Sequence, residues 1–281
     1  MRNWKIFPKD SAVAQYIDCY WLLEKTPGDT GPVSPKLNPD PAAHIILAHD
    51  QQPYQYQHDS YLSTGVGSHL ILPYQKTYTL DHAKPFLVLG IKLKVGALYS
   101  LPLMPTHPFL NEVVPIDVQQ QLHITEEQRA ELLDKSSQPA THYGHMLDNL
   151  LQPLVSGGKE DKHSLLVQKI LAVLSDNSLV DTALTQMGEK LNCSQRTIER
   201  SFSKVTGITL KQYHSMQRLE AMLDHLHKLE TNNINWSEIA LMFGFSDQPH
   251  LIRTIKSTLG CTPGKYAGER DLAIDAYGNF E

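Results

Sequence analysis

SQRTIERSFSKVTGITLKQY (194–213) and DQPHLIRTIKSTLGCTPGKY (247–266) say nearly the same thing 53 residues apart. At that offset Gln195 meets Gln248, Arg200 meets Arg253, Gly207 meets Gly260, Thr209 meets Thr262 and Tyr213 meets Tyr266. Ile198 and Leu251 coincide, as do Phe202 and Ile255. Upstream the offset is 52, pairing Met187 with Ile239, Gly188 with Ala240 and Asn192 with Gly244. A repeat of this length marks two copies of one supersecondary unit.

Punctuation identifies the unit. Each copy opens with a short apolar-periodic helix carrying a small residue, Gly188 or Ala240, where a second helix is expected to cross closely. Asn192 or Gly244 then supplies the left-handed conformation of a tight turn. Ser194 or Asp247 caps the next helix by accepting from its free N–H groups, Pro249 is tolerated in a first turn, and Gly207 or Gly260 ends the helix. Two helices joined by a short turn, the second presenting an Arg-bearing polar face, form a helix-turn-helix. Between the copies, Leu210, Tyr213, Met216, Leu219, Met222, Leu223 and Leu226 recur at spacings of three and four. That period predicts one amphipathic helix over Thr209 to Lys228. About 20 residues at 1.5 Å each span roughly 30 Å, close to the ~34 Å between successive major grooves.

With these motifs, residues 164–270 resemble the DNA-binding domain of AraC-type transcription regulators, most closely over EIALMFGFSDQPHLIRTIKSTLGCTPGKY (238–266). Leu251 and Ile255 stand where that family is usually aromatic, and Pro249 replaces a small polar residue. The resemblance implies double-stranded DNA as partner, RNA polymerase as a second, activation of transcription, a cytoplasmic location, and an amino-terminal half that responds to a small-molecule effector or to homodimer formation. Helix geometry puts Gln195, Arg196, Glu199 and Arg200 on one exposed face, with Ile198 and Phe202 inward. By position in the family pattern, Arg196, Glu199 and Arg200, with Gln195, are the expected base readers of the first head. Gln248, His250 and Arg253 are their equivalents in the second. Arg suits guanine, Gln adenine, and Glu the amino group of cytosine. Lys204, Lys211 and Lys256 are expected at phosphates, where they position without specifying. Each has a plainer alternative: Glu199 as a surface partner of Arg196, the arginines as partners of carboxylates within the domain, His250 as polar surface.

The rest of the chain reads as an α+β regulatory domain over 1–156, a linker over 157–163 (GGKEDKH), and an acidic tail over 271–281 after the DNA-binding domain. At 281 residues two domains are expected, and 41% hydrophobic with 20% charged residues is ordinary globular composition. Strands are predicted over 19–24 (CYWLLE), 44–49, 54–58, 69–72, 77–80 and 86–93, with a Pro- and Gly-rich loop over 26–40. Helices are predicted from 97, over 125–135, and over 142–154 with a break near Pro153. A second resemblance lies here: DCYWLLE, STGVG, VLGIKLKVGALYSLP and NEVVPID are similar in order to an uncharacterised domain found fused to AraC-type DNA-binding domains, with Val95 where a proline is usual. It implies an arrangement and supplies no ligand.

Several function classes lose support. No apolar run is long enough to span a bilayer, so no membrane partner is expected, and no phosphate or dinucleotide loop appears. Three widely spaced cysteines fit a reducing compartment, and no cofactor is expected. Ten of fourteen histidines precede residue 164. His44, His49, His58, His69 and His82 lie on or near predicted strands, yet the histidines before residue 164 form no HxH, HxxxH or HExxH pairing, so no metal is expected. Gly65–Val66–Gly67–Ser68–His69 is not a nucleophile elbow, and no catalytic residue is identified. Tyr16, Tyr20, Trp21, Tyr54, Tyr56, Tyr74 and Tyr78 suit either an effector pocket or core packing. Residues 164–270 carry 12 basic and 10 acidic residues, a weak electrostatic footprint for a DNA binder. Two other classes therefore stay open: an enzyme in residues 1–156 with an appended DNA-targeting module, and a protein-interaction adaptor.

Overall fold

A computed structural model describes residues 2–30, 32–59, 61–103, 110–134, 139–176, 184–227, 229 and 234–268. The expected acidic tail, 271–281, lies outside them. The chain is α+β: a strand-rich amino-terminal part is followed by an all-α part.

Period-two burial builds the first part. In β2 (Ile17–Lys25) Ile17, Tyr20 and Leu22 enter one core, while Cys19, Trp21 and Leu23 enter another. Strands β4 (His44–Ala48) and β9 (Phe86–Leu93) divide likewise: Ile45, Leu47, Leu89 and Ile91 point one way, Ile46, Ala48 and Val88 the other. A sheet apolar on both faces must be covered on both. The antiparallel six-stranded sheet runs β1-β2-β9-β4-β7-β10, with β1 Arg2–Ile6, β7 His69–Ile71 and β10 Val113–Pro115. One face meets helices α1 (Ser11–Tyr16), α2 (Ala97–Ser100), α3 (Val118–Leu122), α4 (Glu126–Leu132) and α5 (Ala140–Ser156). The other meets a four-stranded sheet, β3-β8-β5-β6, of Lys36–Leu37, Tyr78–Leu80, Pro53–His58 and Tyr61–Val66.

Within that sandwich Trp21 pairs with Gly90, and a Cβ on Gly90 would come within 1.9 Å of the fully buried indole. Gly90→Ala is therefore expected to destabilise the domain by at least about 1–3 kcal/mol through overpacking, seen as a lowered urea midpoint. A midpoint equal to wild type would show that Trp21 has somewhere to move.

Several sequence expectations need adjusting. The loop over 26–40 contains β3, and β6, β10 and α3 were not anticipated. Pro153 does not break α5, which runs one turn further and closes with the Gly157 N–H donating to the Pro153 carbonyl at 3.2 Å. Two residues of the expected linker are helical, because α6 (Lys162–Asp176) is capped by Asp161, whose Oδ1 accepts from the backbone of His163 and Ser164. Ahead of it the chain is held by Gly158 N–H to the Val155 carbonyl and Lys159 N–H to the Ser100 carbonyl at 2.8 Å.

Candidate nucleic-acid interface

The all-α part continues with α7 (Leu184–Leu191), α8 (Gln195–Thr206), α9 (Leu210–His227), α10 (Trp236–Met242), α11 (Gln248–Leu259) and α12 (Pro263–Gly268). Each head closes in the same way. Asn192 and Gly244 take left-handed φ values of 50° and 68°. The Ser194 hydroxyl accepts from Thr197 N–H, and the Asp247 carboxylate from His250 N–H at 2.6 Å. Gly207 and Gly260, at φ 76° and 70°, return their N–H groups to Ser203 and Lys256. A Cβ on Gly188 would stand 2.8 Å from the Cys193 carbonyl of its own turn, and among the described residues no other helix comes within 4 Å of that position. Thr209 and Gln212 form a reciprocal cap at the start of α9, and Thr262 caps α12.

Helix α9 unites two cores. Leu210, Tyr213 and Met216 join Ile198, Phe202 and Val205 in the first head. Leu219, Met222, Leu223 and Leu226 join Leu251, Ile255 and Phe245 in the second. The helix has 18 residues, about 27 Å at 1.5 Å each.

On α8, Gln195, Arg196, Glu199 and Arg200 are all exposed, opposite buried Ile198 and Phe202. Gln195 Nε2 donates to Glu199 Oε1 at 2.9 Å, so the surface partner of Glu199 is Gln195 and not Arg196. Among the described residues Arg196, Arg200 and Arg253 have no carboxylate partner, which leaves their guanidinium groups open to a ligand. On α11 Arg253 is exposed, whereas Gln248 and His250 are half-buried. Gln248 Oε1 accepts from Ser237 Oγ at 3.1 Å. His250 Nδ1 accepts from Ser246 at its turn, and its ring meets Phe245 edge-on at 5.5 Å. With Nδ1 accepting, only Nε2–H remains for a DNA acceptor.

The three lysines part company. Lys211 and Lys256 are exposed. Lys204 instead lies 5.6 Å from the centroid of the Tyr99 ring and 3.8 Å from Asp161 Oδ2, and Tyr99 donates its hydroxyl to that carboxylate at 2.8 Å. The amino-terminal part reaches both heads. Val95 and Tyr99 pack on the first core. Lys36 Nζ donates to the Leu259 carbonyl at 3.2 Å, and Thr77 N–H to the Thr258 carbonyl at 3.1 Å, at the far end of α11. No spacing rule links residues so distant in sequence, and these contacts went unanticipated.

Two cavities accompany this arrangement. One of about 310 Å³ lies where Tyr16, Val95 and Gly96 face Ser164, Val167 and Val205. Another of about 250 Å³ opens within the sandwich, lined by Tyr54, Tyr56, His69, His82 and Phe86. The other aromatic candidates are structural: Tyr20 donates to the buried Asp148 carboxylate at 2.8 Å, and Trp21, Tyr74 and Tyr78 fill the space between the sheets. Ser68 is buried and bonded to the Ala48 backbone, and His69 is held between the Tyr56 hydroxyl and the Gly67 carbonyl, so neither is poised as a nucleophile or base. No three His, Cys, Asp or Glu side chains among the described residues come together as a metal site.

Comparison with known proteins agrees with this geometry. A helix-turn-helix domain family matches residues 187–269, and a domain family of unknown function matches residues 5–115. The HTH-type transcriptional regulator RipA of Corynebacterium diphtheriae is 28% identical over 109 residues, 39% of this chain and 30% of RipA. The multiple antibiotic resistance protein MarA of Escherichia coli is 29% identical over 108 residues, 38% of this chain and 83% of MarA. The chain thus spans less than a third of RipA's length and most of MarA's. ToxT from Vibrio cholerae aligns over 95% of this chain and 97% of its own, at 10% identity and a TM-score of 0.48. The helix-turn-helix match and the RipA and MarA likenesses are to regulators of transcription. The repeated turn-and-cap geometry and the matched models agree: residues 187–269 match a helix-turn-helix domain and make the carboxy-terminal part similar to AraC-type regulators, and residues 5–115 match a domain of unknown function.

Proposed function

We propose that the chain is a sequence-specific, activating regulator that reads two successive major-groove half-sites of double-stranded DNA, one with each head. The observation that carries this reading is the pair of caps and turns built alike at the two ends of α9, each presenting an exposed arginine without a carboxylate partner. Arg196, Glu199 and Arg200, with Gln195, read bases in the first half-site; Arg253, Gln248 and His250 read the second. Lys211 and Lys256 hold phosphates, and Lys204 joins them when it leaves Tyr99. Residues 164–270 form the DNA-binding domain and 1–156 the controlling one, joined over 157–163. Control by the amino-terminal domain uses a small-molecule effector, for which two cavities are at hand, or homodimer formation, and RNA polymerase is the further partner that activation implies. Activation follows from the resemblance to AraC-type regulators.

Selection of bound duplexes from a random pool by the full-length protein tests this. A gapped motif with half-sites about 10 bp apart is expected. Arg200→Ala and Arg253→Ala should each weaken binding to the selected duplex by about 1–3 kcal/mol and relax preference in one half-site only. No enrichment by folded protein at low salt would end the DNA reading and favour the adaptor; unchanged binding by both variants would remove the two reading faces.

A further inference from the structure

Helix α9 changes partner partway along its length. Met216 is the last residue it gives to the first core and Leu219 the first it gives to the second. Arg218 stands at that changeover, half-buried. Its Nη1 donates to the Gly244 carbonyl at 2.9 Å, and its guanidinium lies over the Phe245 ring, 4.5 Å from the centroid.

Both partners belong to the turn from which α11 starts. Gly244 is left-handed, its N–H donates to the Leu241 carbonyl at 3.1 Å, and the Phe245 N–H donates to the Ala240 carbonyl at 2.8 Å. The turn is therefore internally tied, and whatever holds it holds the first residues of α11. Phe245 also touches His250 edge-on, on the proposed reading helix itself. Among the described residues the first head shows no counterpart: 52 residues earlier, at the offset that holds upstream of the turn, stands Leu166 on α6, an apolar side chain that packs on the first core and cannot donate.

The buried core that α9 shares with the second head is aliphatic and aromatic. Such burial is non-directional and tolerates a small roll of one helix on another. A guanidinium bonded in its plane and stacked on a ring is directional. We propose that Arg218 is a positioning residue: it fixes the roll of the second reading helix about α9, and with it the half-site spacing the protein accepts. This rests on the two-half-site reading above.

The test uses full-length protein and the duplex selected by wild type, with the gap between half-sites lengthened or shortened by one base pair, and a duplex keeping only the half-site that responds to Arg200→Ala. Wild type should bind the selected spacing best and lose affinity for both altered gaps. Arg218→Met should lose about tenfold on the selected spacing, bind all three spacings alike, and keep wild-type affinity for the single half-site. Arg218→Lys, which still donates to the Gly244 carbonyl, should restore part of the spacing preference. Phe245→Leu, which keeps the core apolar but removes the ring, should flatten the profile as Arg218→Met does and stands in for it if that variant does not fold. Thermal unfolding of these variants reports folding separately. A wild-type spacing profile in both Arg218→Met and Phe245→Leu would overturn the proposal, as would an equal loss on the single half-site. A pool that yields no gapped motif with wild type would instead sink the two-half-site reading itself.

Discussion

Acidification from pH 7 to pH 4 is expected to remove several kcal/mol of stability from the amino-terminal domain, with two histidines responsible. His69 and His82 are buried, and burial pushes each imidazole from its ordinary 6.5 down to about 4. At His69 the Gly67 carbonyl opposes that shift without cancelling it; at His82 the positive charge of Lys25 adds to it. Both rings are neutral in the folded domain, while the unfolded chain takes up protons at the ordinary value. Their stabilising effect is therefore complete above pH 6.5 and declines as pH falls towards 4, by about 3 kcal/mol for each ring. Urea titrations at stepped pH, with Trp236→Phe so that Trp4 and Trp21 report, should show the midpoint falling through this window. His82→Phe should shallow the decline. A midpoint that stays level between pH 7 and pH 4.5 would show that the rings are solvated enough to protonate in place.

Phe202→Ala should have the other large effect. The side chain is fully buried on the inward face of α8, and its ring meets Tyr213 edge-on at 5.4 Å. Truncating a buried phenylalanine costs about 3–5 kcal/mol, because the transfer energy is lost and a cavity remains. The first head has its own core, separate from that of the second. The loss should therefore appear as local opening: amide exchange accelerates in α8 while α11 keeps its protection. Discrimination should vanish at the half-site that responds to Arg200→Ala and persist at the other. Equal loss of protection in both helices would show that α9 couples the heads into one cooperative unit. The matching position of the second head is Ile255, also fully buried.

Much of the carboxy-terminal part was legible because its interactions are local. A helix-turn-helix is specified by caps, a left-handed turn residue and an apolar period, all within a few residues of one another. Ser194, Asn192, Gly207, Asp247, Gly244 and Gly260 do at close range what their chemistry permits. The amino-terminal domain was legible as alternating strands but not as an arrangement. Strand β2 lies between β1 and β9, and β4 between β9 and β7, pairings across tens of residues that no short window contains. The short strands β3 and β10 have too few residues to show a period.

At the proposed interface the same division holds. That Arg196, Glu199, Arg200 and Arg253 share exposed faces follows from 3.6 residues per turn. That Glu199 meets Gln195, that His250 closes onto Ser246, and that Lys204 leans on Tyr99 depends on which rotamers and neighbours the folded chain supplies. By itself, the sequence determined that there are two helix-turn-helix units on one connecting helix, because repetition and periodicity are properties of the chain. Tertiary structure alone decided how those units are held: Arg218 on the turn of the second, Lys36 and Thr77 at the end of α11, and Val95 and Tyr99 on the first. Those contacts join residues whose proximity is set by packing, and packing is a property of the whole fold.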